Sequence, residues 1–170
     1  MTLYRKASMD TFEAIRKRRS VRNFTGEPIP LSDLEKTVDA GRLAPSGSNK
    51  QPWDFIVVTK KDIIQRLSKA GAWSADAGAM IVVVMDPSSK YWLEDGSAAI
   101  ENMLLAATAL GYSSCWLEGN AKPHEAEFKR LLNIPEHLNL LTFIPVGVPA
   151  EWPAPKVKKA LNEVLTWENF

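Results

Sequence analysis

The chain has 170 residues, 45% hydrophobic and 24% charged, which suits one compact domain over 1–170 with a sizeable core and argues against broad disorder. Its formal net charge of +1 lacks the wide positive field of a nucleic-acid binder, and its longest apolar run, residues 77–85, is too short to span a bilayer. The single cysteine, Cys115, excludes an internal disulfide and a cysteine-only metal site, and with no apolar run in the first ten residues a cytoplasmic protein is expected.

Asp10 or Thr11 caps a predicted first helix in which Phe12 and Ile15 form an apolar i, i+3 pair. Its far end is Arg16-Lys17-Arg18-Arg19-Ser20-Val21-Arg22, five cations in seven residues, delivered where the helix runs out and a β-branched residue favours extended backbone. Guanidinium forks and a hydroxyl match phosphate oxygens, so this stretch is a candidate phosphate seat. The plainer reading is a solvated helix end whose cations complement the macrodipole. After the turn-rich residues 23–30, Ser32 and Glu35 form a capping-box pair for a second helix with Leu34, Val38 and, as a candidate third member, Leu43 on its apolar stripe.

Residues 44–53, Ala-Pro-Ser-Gly-Ser-Asn-Lys-Gln-Pro-Trp, read as a polar loop pinned beside a strand at 54–59. A helix at 62–70 with Ile63, Ile64 and Leu67 on one side stops at Gly71. Residues 79–85 are apolar at every position, which predicts a strand buried on both faces at the sheet centre. The longest predicted helix, 93–110, carries small residues that allow close packing, and Gly111 ends it. A strand at 112–117 then leads into the polar loop Glu118-Gly119-Asn120. Pro123 opens a helix to 132, and 139–148 is the last core strand, limited by Pro145 to an edge position or a bulge. The tail, 149–159, is Pro-rich and basic and cannot pair as a regular element, and its Trp152, with Trp167 and Phe170 beyond, needs somewhere to pack. Six tryptophans in a chain of this length point to a dimer interface as well as a core.

His124 and His137 lie in separate elements without a second ligand at metal-binding spacing, so no metal site is expected. Cys115 sits within a strand with no assignable base and reads as core. No glycine-rich phosphate loop and no serine nucleophile elbow is present. Polar loops beside buried strands, plus one basic helix end, without an evident acid, base or nucleophile, fit a cofactor that carries the chemistry itself.

Four stretches in order, Arg18-Arg19-Ser20-Val21-Arg22-Asn23-Phe24, then residues 44–53, then Asp95-Gly96-Ser97-Ala98 through Ala107, then Gly111-Tyr112-Ser113-Ser114-Cys115-Trp116, resemble the successive signatures of the flavin-dependent nitroreductase family. The similarity runs from about residue 11 to 165. It implies an α+β fold, a central and mostly antiparallel sheet flanked by helices, in an intertwined homodimer that exchanges C-terminal tails and holds two FMN molecules at its interface. By the same resemblance Arg18, Arg19, Ser20 and Arg22 hold the FMN phosphate and ribityl chain, and Lys156 and Lys158 close the phosphate end. Lys158 stands where the family more often has Arg, keeping the charge but not the bidentate fork. Pro45, Ser46 and Gly47 of the other subunit line the isoalloxazine ring with Asn49 close by, and Leu117, Glu118 and Gly119 present backbone to it, one amide directed at N5. The activity implied is a ping-pong oxidoreductase that takes hydride from NADH or NADPH and passes it to a nitroaromatic, quinone or similar small acceptor, with no nucleic acid or membrane as partner. Other flavin reactions on the same scaffold, reductive dehalogenation or flavin fragmentation, stay open, as does a non-catalytic or regulatory flavin-binding dimer. The short stretch between Gly71 and Ala79 leaves little room for a covering helical insertion, so a more open pocket is expected.

Overall fold

A computed structural model describes residues 9–119 and 121–170. At its centre lies β2, Ala79–Met85, buried at every position. Successive strand side chains point to opposite faces, and both faces are covered. Ile81, Val83 and Met85 join an apolar layer with Leu34 of α2 (Leu31–Arg42) and Ile100, Met103 and Ala107 of α4 (Trp92–Ala109). Met80, Val82 and Val84 join the opposite layer with Ile64 and Leu67 of α3 (Lys61–Leu67) and Phe128 of α5 (Glu125–Leu132). A polar residue anywhere in β2 would enter one of these layers, which is why the strand is apolar throughout.

The sheet has the order β1-β2-β4-β3, where β1 is Trp53–Val58, β3 Ser113–Ser114 and β4 Asn139–Gly147. All ladder pairs are antiparallel, and one parallel bridge joins Ser20 to Ser114, so the expected α+β arrangement of a mostly antiparallel sheet flanked by helices is the one formed. Pro145 departs from expectation. It lies in β4, an interior strand, and the register shift is elsewhere, opposite Val83 and Val84. Its carbonyl accepts the Cys115 N–H at 3.3 Å, but proline has no N–H to return, so the β3 ladder closes after Ser114. The strand expected over 112–117 is thereby reduced to two residues plus a separate bridge from Leu117 to Phe143.

Several helix boundaries also shift. Asp10 caps α1 (Thr11–Lys17) as expected, its carboxylate accepting the Glu13 N–H at 2.8 Å. Phe12 and Ile15, the expected apolar pair, stand exposed, and Ala14 is the buried residue of that helix. The Ser32–Glu35 capping box does not form, because Pro30, already extended at φ −55°, starts α2 one residue ahead of Ser32. Leu43 caps the C-terminal end of α2 and is 64% exposed, outside the stripe. The 62–70 helix ends at Leu67 and continues as a single 3-10 turn to Ala70. Pro123 sits in a 3-10 turn, Lys122–His124, that precedes α5. Between Gly71 and Ala79 there is one further short turn, Ala72–Ser74, and no inserted helix.

The tail leaves the sheet stitched to the segment just after the basic stretch. The Thr25 N–H donates to Val148 O at 3.0 Å, Phe24 bridges Pro149, and the Ala150 N–H donates to Asn23 O at 3.1 Å. Beyond that point Val157, Leu161, Val164, Trp167 and Phe170 are exposed, Trp167 at 77%. Among the described residues no helix is long and apolar enough to cross a membrane.

Candidate functional site

Ser20, Val21 and Arg22 are extended backbone lying along β3: the Val21 N–H donates to Ser114 O at 3.1 Å and Ser20 bridges Ser114. Alternation over these three residues turns Val21 into the core and leaves Ser20 and Arg22 exposed on the other side; Phe24, outside that alternation, is buried as well. The basic stretch is thus fastened to the sheet by its one β-branched residue and presents its polar neighbours outward.

Those neighbours line a cleft of about 650 Å³ together with tail residues 153–156 and Lys158. Among the described residues its lining holds six cations, Arg16, Arg18, Arg19, Arg22, Lys156 and Lys158, and no carboxylate. Arg18 Nε pairs with Glu101 Oε1 at 3.3 Å from outside that lining. Arg19 Nη1 donates to the Arg16 and Arg18 carbonyls at 2.7 and 2.9 Å, capping the end of α1, while its Nε is buried without a hydrogen-bond partner among the described residues. The Arg22 guanidinium lies 5.6 Å from the Trp73 ring centroid. Six cations around one concavity repel one another unless an anion joins them, and a phosphate monoester fits that donor set.

Cys115 lies behind this wall, 2% exposed. Burial pushes its thiol up, more than the Arg22 charge, the Ser20 hydroxyl and the Arg18 charge bring it down, so it stays a core thiol as expected.

The other candidate residues do not meet this cleft within one chain. Pro45, Ser46, Gly47 and Asn49 belong to a separate loop that makes a 3-10 turn, Gly47–Asn49. There the Gly47 N–H donates to Asp95 Oδ1 at 2.9 Å and the Gln51 N–H to Ser46 Oγ at 3.0 Å. Leu117 is buried and its backbone is spent inside the sheet: its N–H donates to Phe143 O at 2.9 Å, and its carbonyl accepts from Phe143 N and Thr142 Oγ1. Among the described residues there, the amides without a bond inside the sheet are those of Glu118 and Gly119. A Cβ built on Gly119 meets nothing within 4 Å, so that glycine leaves open space. Glu118 also borders a small separate cavity with Trp92 and Glu125. Asn120 lies outside the described residues.

Arg16, part of the basic stretch but ahead of the family-like motif, lines the cleft too, its carbonyl accepting from Arg19 Nη1. Two further residues in this region were not singled out for it in the sequence. Trp73 gains its position only through tertiary packing against Phe24 and Arg22. Asp95 looks in the sequence like any acid in a first helical turn.

A family model described as the nitroreductase family matches residues 15–84 and 72–148. A relative from Archaeoglobus fulgidus, provisionally named an NADH dehydrogenase/NAD(P)H nitroreductase, is 40% identical over 153 residues, covering 84% of this chain and 87% of its own. An iodotyrosine deiodinase from Thermotoga neapolitana is 28% identical over 186 residues, covering 93% and 97%. Among solved structures, one from Parabacteroides distasonis with the same provisional name as the Archaeoglobus relative superposes with a TM-score of 0.84 at 31% identity, over 92% of this chain and 96% of that one.

Proposed function

Because the chain belongs to the nitroreductase family, we propose that it is an FMN-dependent oxidoreductase that takes hydride from NADH or NADPH and passes it, by ping-pong exchange, to a nitroaromatic, quinone or similar small acceptor. The observation that carries this reading is the cation-lined cleft, whose two walls come from residues 16–22 and from the tail. Arg18, Ser20, Arg22, Lys156 and Lys158 would hold the phosphate and ribityl chain, with Arg19 bracing the end of α1 beneath them. When bound, FMN supplies the hydride chemistry. The chain's own part is to fix the phosphate with charged donors, to offer the Glu118 and Gly119 amides toward the ring, and to line it with Pro45, Ser46, Gly47 and Asn49.

That last group lies away from the cleft of its own chain, which fits a homodimer in which each subunit's loop completes its partner's site. The exposed apolar tail and the exposed Phe12 and Ile15 support an exchange of tails between the two chains, because they find no cover among the described residues of their own. Anaerobic addition of NADH or NADPH to the yellow holoprotein tests the reading. Bleaching of the flavin absorbance with either is expected; a bound flavin that stays oxidised with both overturns it.

A second reading on the same scaffold, reductive removal of halogen from a phenol, is favoured by the near full-length similarity to a deiodinase. Offering the reduced protein a halogenated phenol beside a nitroaromatic, and measuring released halide against loss of the nitro group, separates the two.

A further inference from the structure

Among the described residues, Asp95 is the buried carboxylate with an oxygen that finds no hydrogen-bond partner. It lies in the first turn of α4 and is 5% exposed, whereas an acid serving only the helix macrodipole can stay in water. One oxygen, Oδ1, accepts the Gly47 N–H at 2.9 Å across 48 positions of sequence; the other, Oδ2, is buried without a hydrogen-bond partner among the described residues. Burying a carboxylate with one donor is unfavourable in itself, so what it holds matters.

It holds a costly piece of backbone. Ser48, Asn49 and Gln51 all have left-handed φ, at +52°, +54° and +50°, a conformation that non-glycine residues adopt only when their surroundings enforce it. Gly47 is pressed against Tyr91, where an added Cβ would stand 2.5 Å from the ring Cδ2. The loop is therefore fixed at two points on the start of α4: a ring contact from Tyr91 and a hydrogen bond to Asp95.

We propose that Asp95 is a positioning residue that clamps Gly47 and so sets the Pro45-Ser46-Gly47 edge against the flavin ring. The proposal rests on the functional reading above, in which that edge lines the ring of the partner's site. Asp95 acts through Gly47 and does not touch the cofactor. Phosphate grip and ring placement are then separable: the first depends on the basic cleft, the second on this clamp.

The test titrates FMN into apoprotein of the wild type, Asp95→Ala, Asp95→Asn and Gly47→Ala, reading FMN affinity, the visible absorption and circular dichroism of the bound flavin, and kcat and KM with NADH and NADPH. For Asp95→Ala, affinity is expected to stay within about threefold, because the charged phosphate contacts are untouched. Its bound-flavin spectrum shifts, and kcat drops by up to about 100-fold, as for a reacting ring misplaced by about an ångström. Asp95→Asn keeps an oxygen acceptor for the Gly47 N–H and restores spectrum and turnover. Gly47→Ala, which displaces the loop against Tyr91 while leaving Asp95 intact, reproduces the Asp95→Ala signature and decides the matter if Asp95→Ala does not fold. Bound flavin in Asp95→Ala with the wild-type spectrum and turnover, whatever its melting temperature, overturns the clamp, as does an Asp95→Asn protein as impaired as Asp95→Ala or a Gly47→Ala protein with an unmoved spectrum. A wild-type protein that takes up no FMN overturns the functional reading and this proposal with it. A wild type that binds FMN and bleaches, beside an unmoved Asp95→Ala, overturns the clamp alone.

Discussion

The central strand β2 and the tail after Ala150 are opposite kinds of structure in one chain. In β2 every side chain is covered by layers the chain itself supplies. In the tail, Val157, Leu161, Val164, Trp167 and Phe170 are apolar and exposed, and among the described residues the only regular piece is one 3-10 turn. The sheet is closed within the chain; the tail is apolar enough to need cover that the described residues do not give it. The basic cleft lies where the two meet, with Ser20 and Arg22 fastened to the sheet edge and Lys156 and Lys158 on the tail.

This contrast can be broken at either end. Phe143, fully buried and packed edge-on against Phe128 at 5.1 Å, is the strongest test of the closed part: Phe143→Ala should cost about 3–5 kcal/mol, read by chemical denaturation. Deleting residues 151–170 should leave the far-ultraviolet circular dichroism of the sheet and helices while converting a dimer to a monomer in sedimentation and abolishing FMN retention. A truncated chain that remains dimeric would refute tail exchange. Within the cleft, Ser20→Ala and Arg22→Ala should each weaken FMN binding about 10- to 100-fold, from about 1.5–3 kcal/mol per hydrogen bond to a charged group, with little change in melting temperature. Arg16→Ala should weaken it only a few-fold and in a salt-dependent way, as a longer-range charge does; equal losses at all three positions would mean that the helix end is merely structural.

The smallest effect is alkaline. The Tyr112 hydroxyl donates to Asp33 Oδ2 at 2.8 Å, tying the far end of α4 to α2, and its pKa is raised to about 12 by burial and then by the Asp33 hydrogen bond and charge. The folded state favours the protonated phenol, so this stabilisation is whole below pH 10 and is lost as pH rises from about 10 to 12. Comparing wild type with Tyr112→Phe in denaturation curves across that window checks it: the two should differ near neutrality and converge at the alkaline end.

The sheet was legible in the sequence where composition alone decides it. An all-apolar run in 79–85 has few places to go except between two layers, and the small residues of α4 foretold close packing such as Gly96 against Leu141 and Met85. What one strand does to another was not legible. Pro145 was expected at an edge, but its effect is exported to its neighbour, where it cuts β3 short. The capping box at Ser32 matched a local pattern and lost to Pro30, whose fixed φ starts the helix earlier. For the site, charge and hydroxyl type marked residues 16–22, and the resemblance added Lys156 and Lys158, which the fold brings onto the same cleft. Arg16 belongs to that stretch but not to the family-like motif, and it lines the cleft as well. Asp95 opened one of the family-like stretches, but nothing marked it as buried, because a buried acid and a solvated one are the same letter.

If the tails exchange between chains, the stitching of 148–150 to 23–25 would tie chain association to ligand binding by mass action. One wall of the cleft leaves the sheet through that seam, so whatever orders the tail completes the cleft, and whatever fills the cleft orders the tail. Each equilibrium must then raise the other by the same factor. With tail exchange, dilution alone would loosen FMN, and added FMN would drive free chains together.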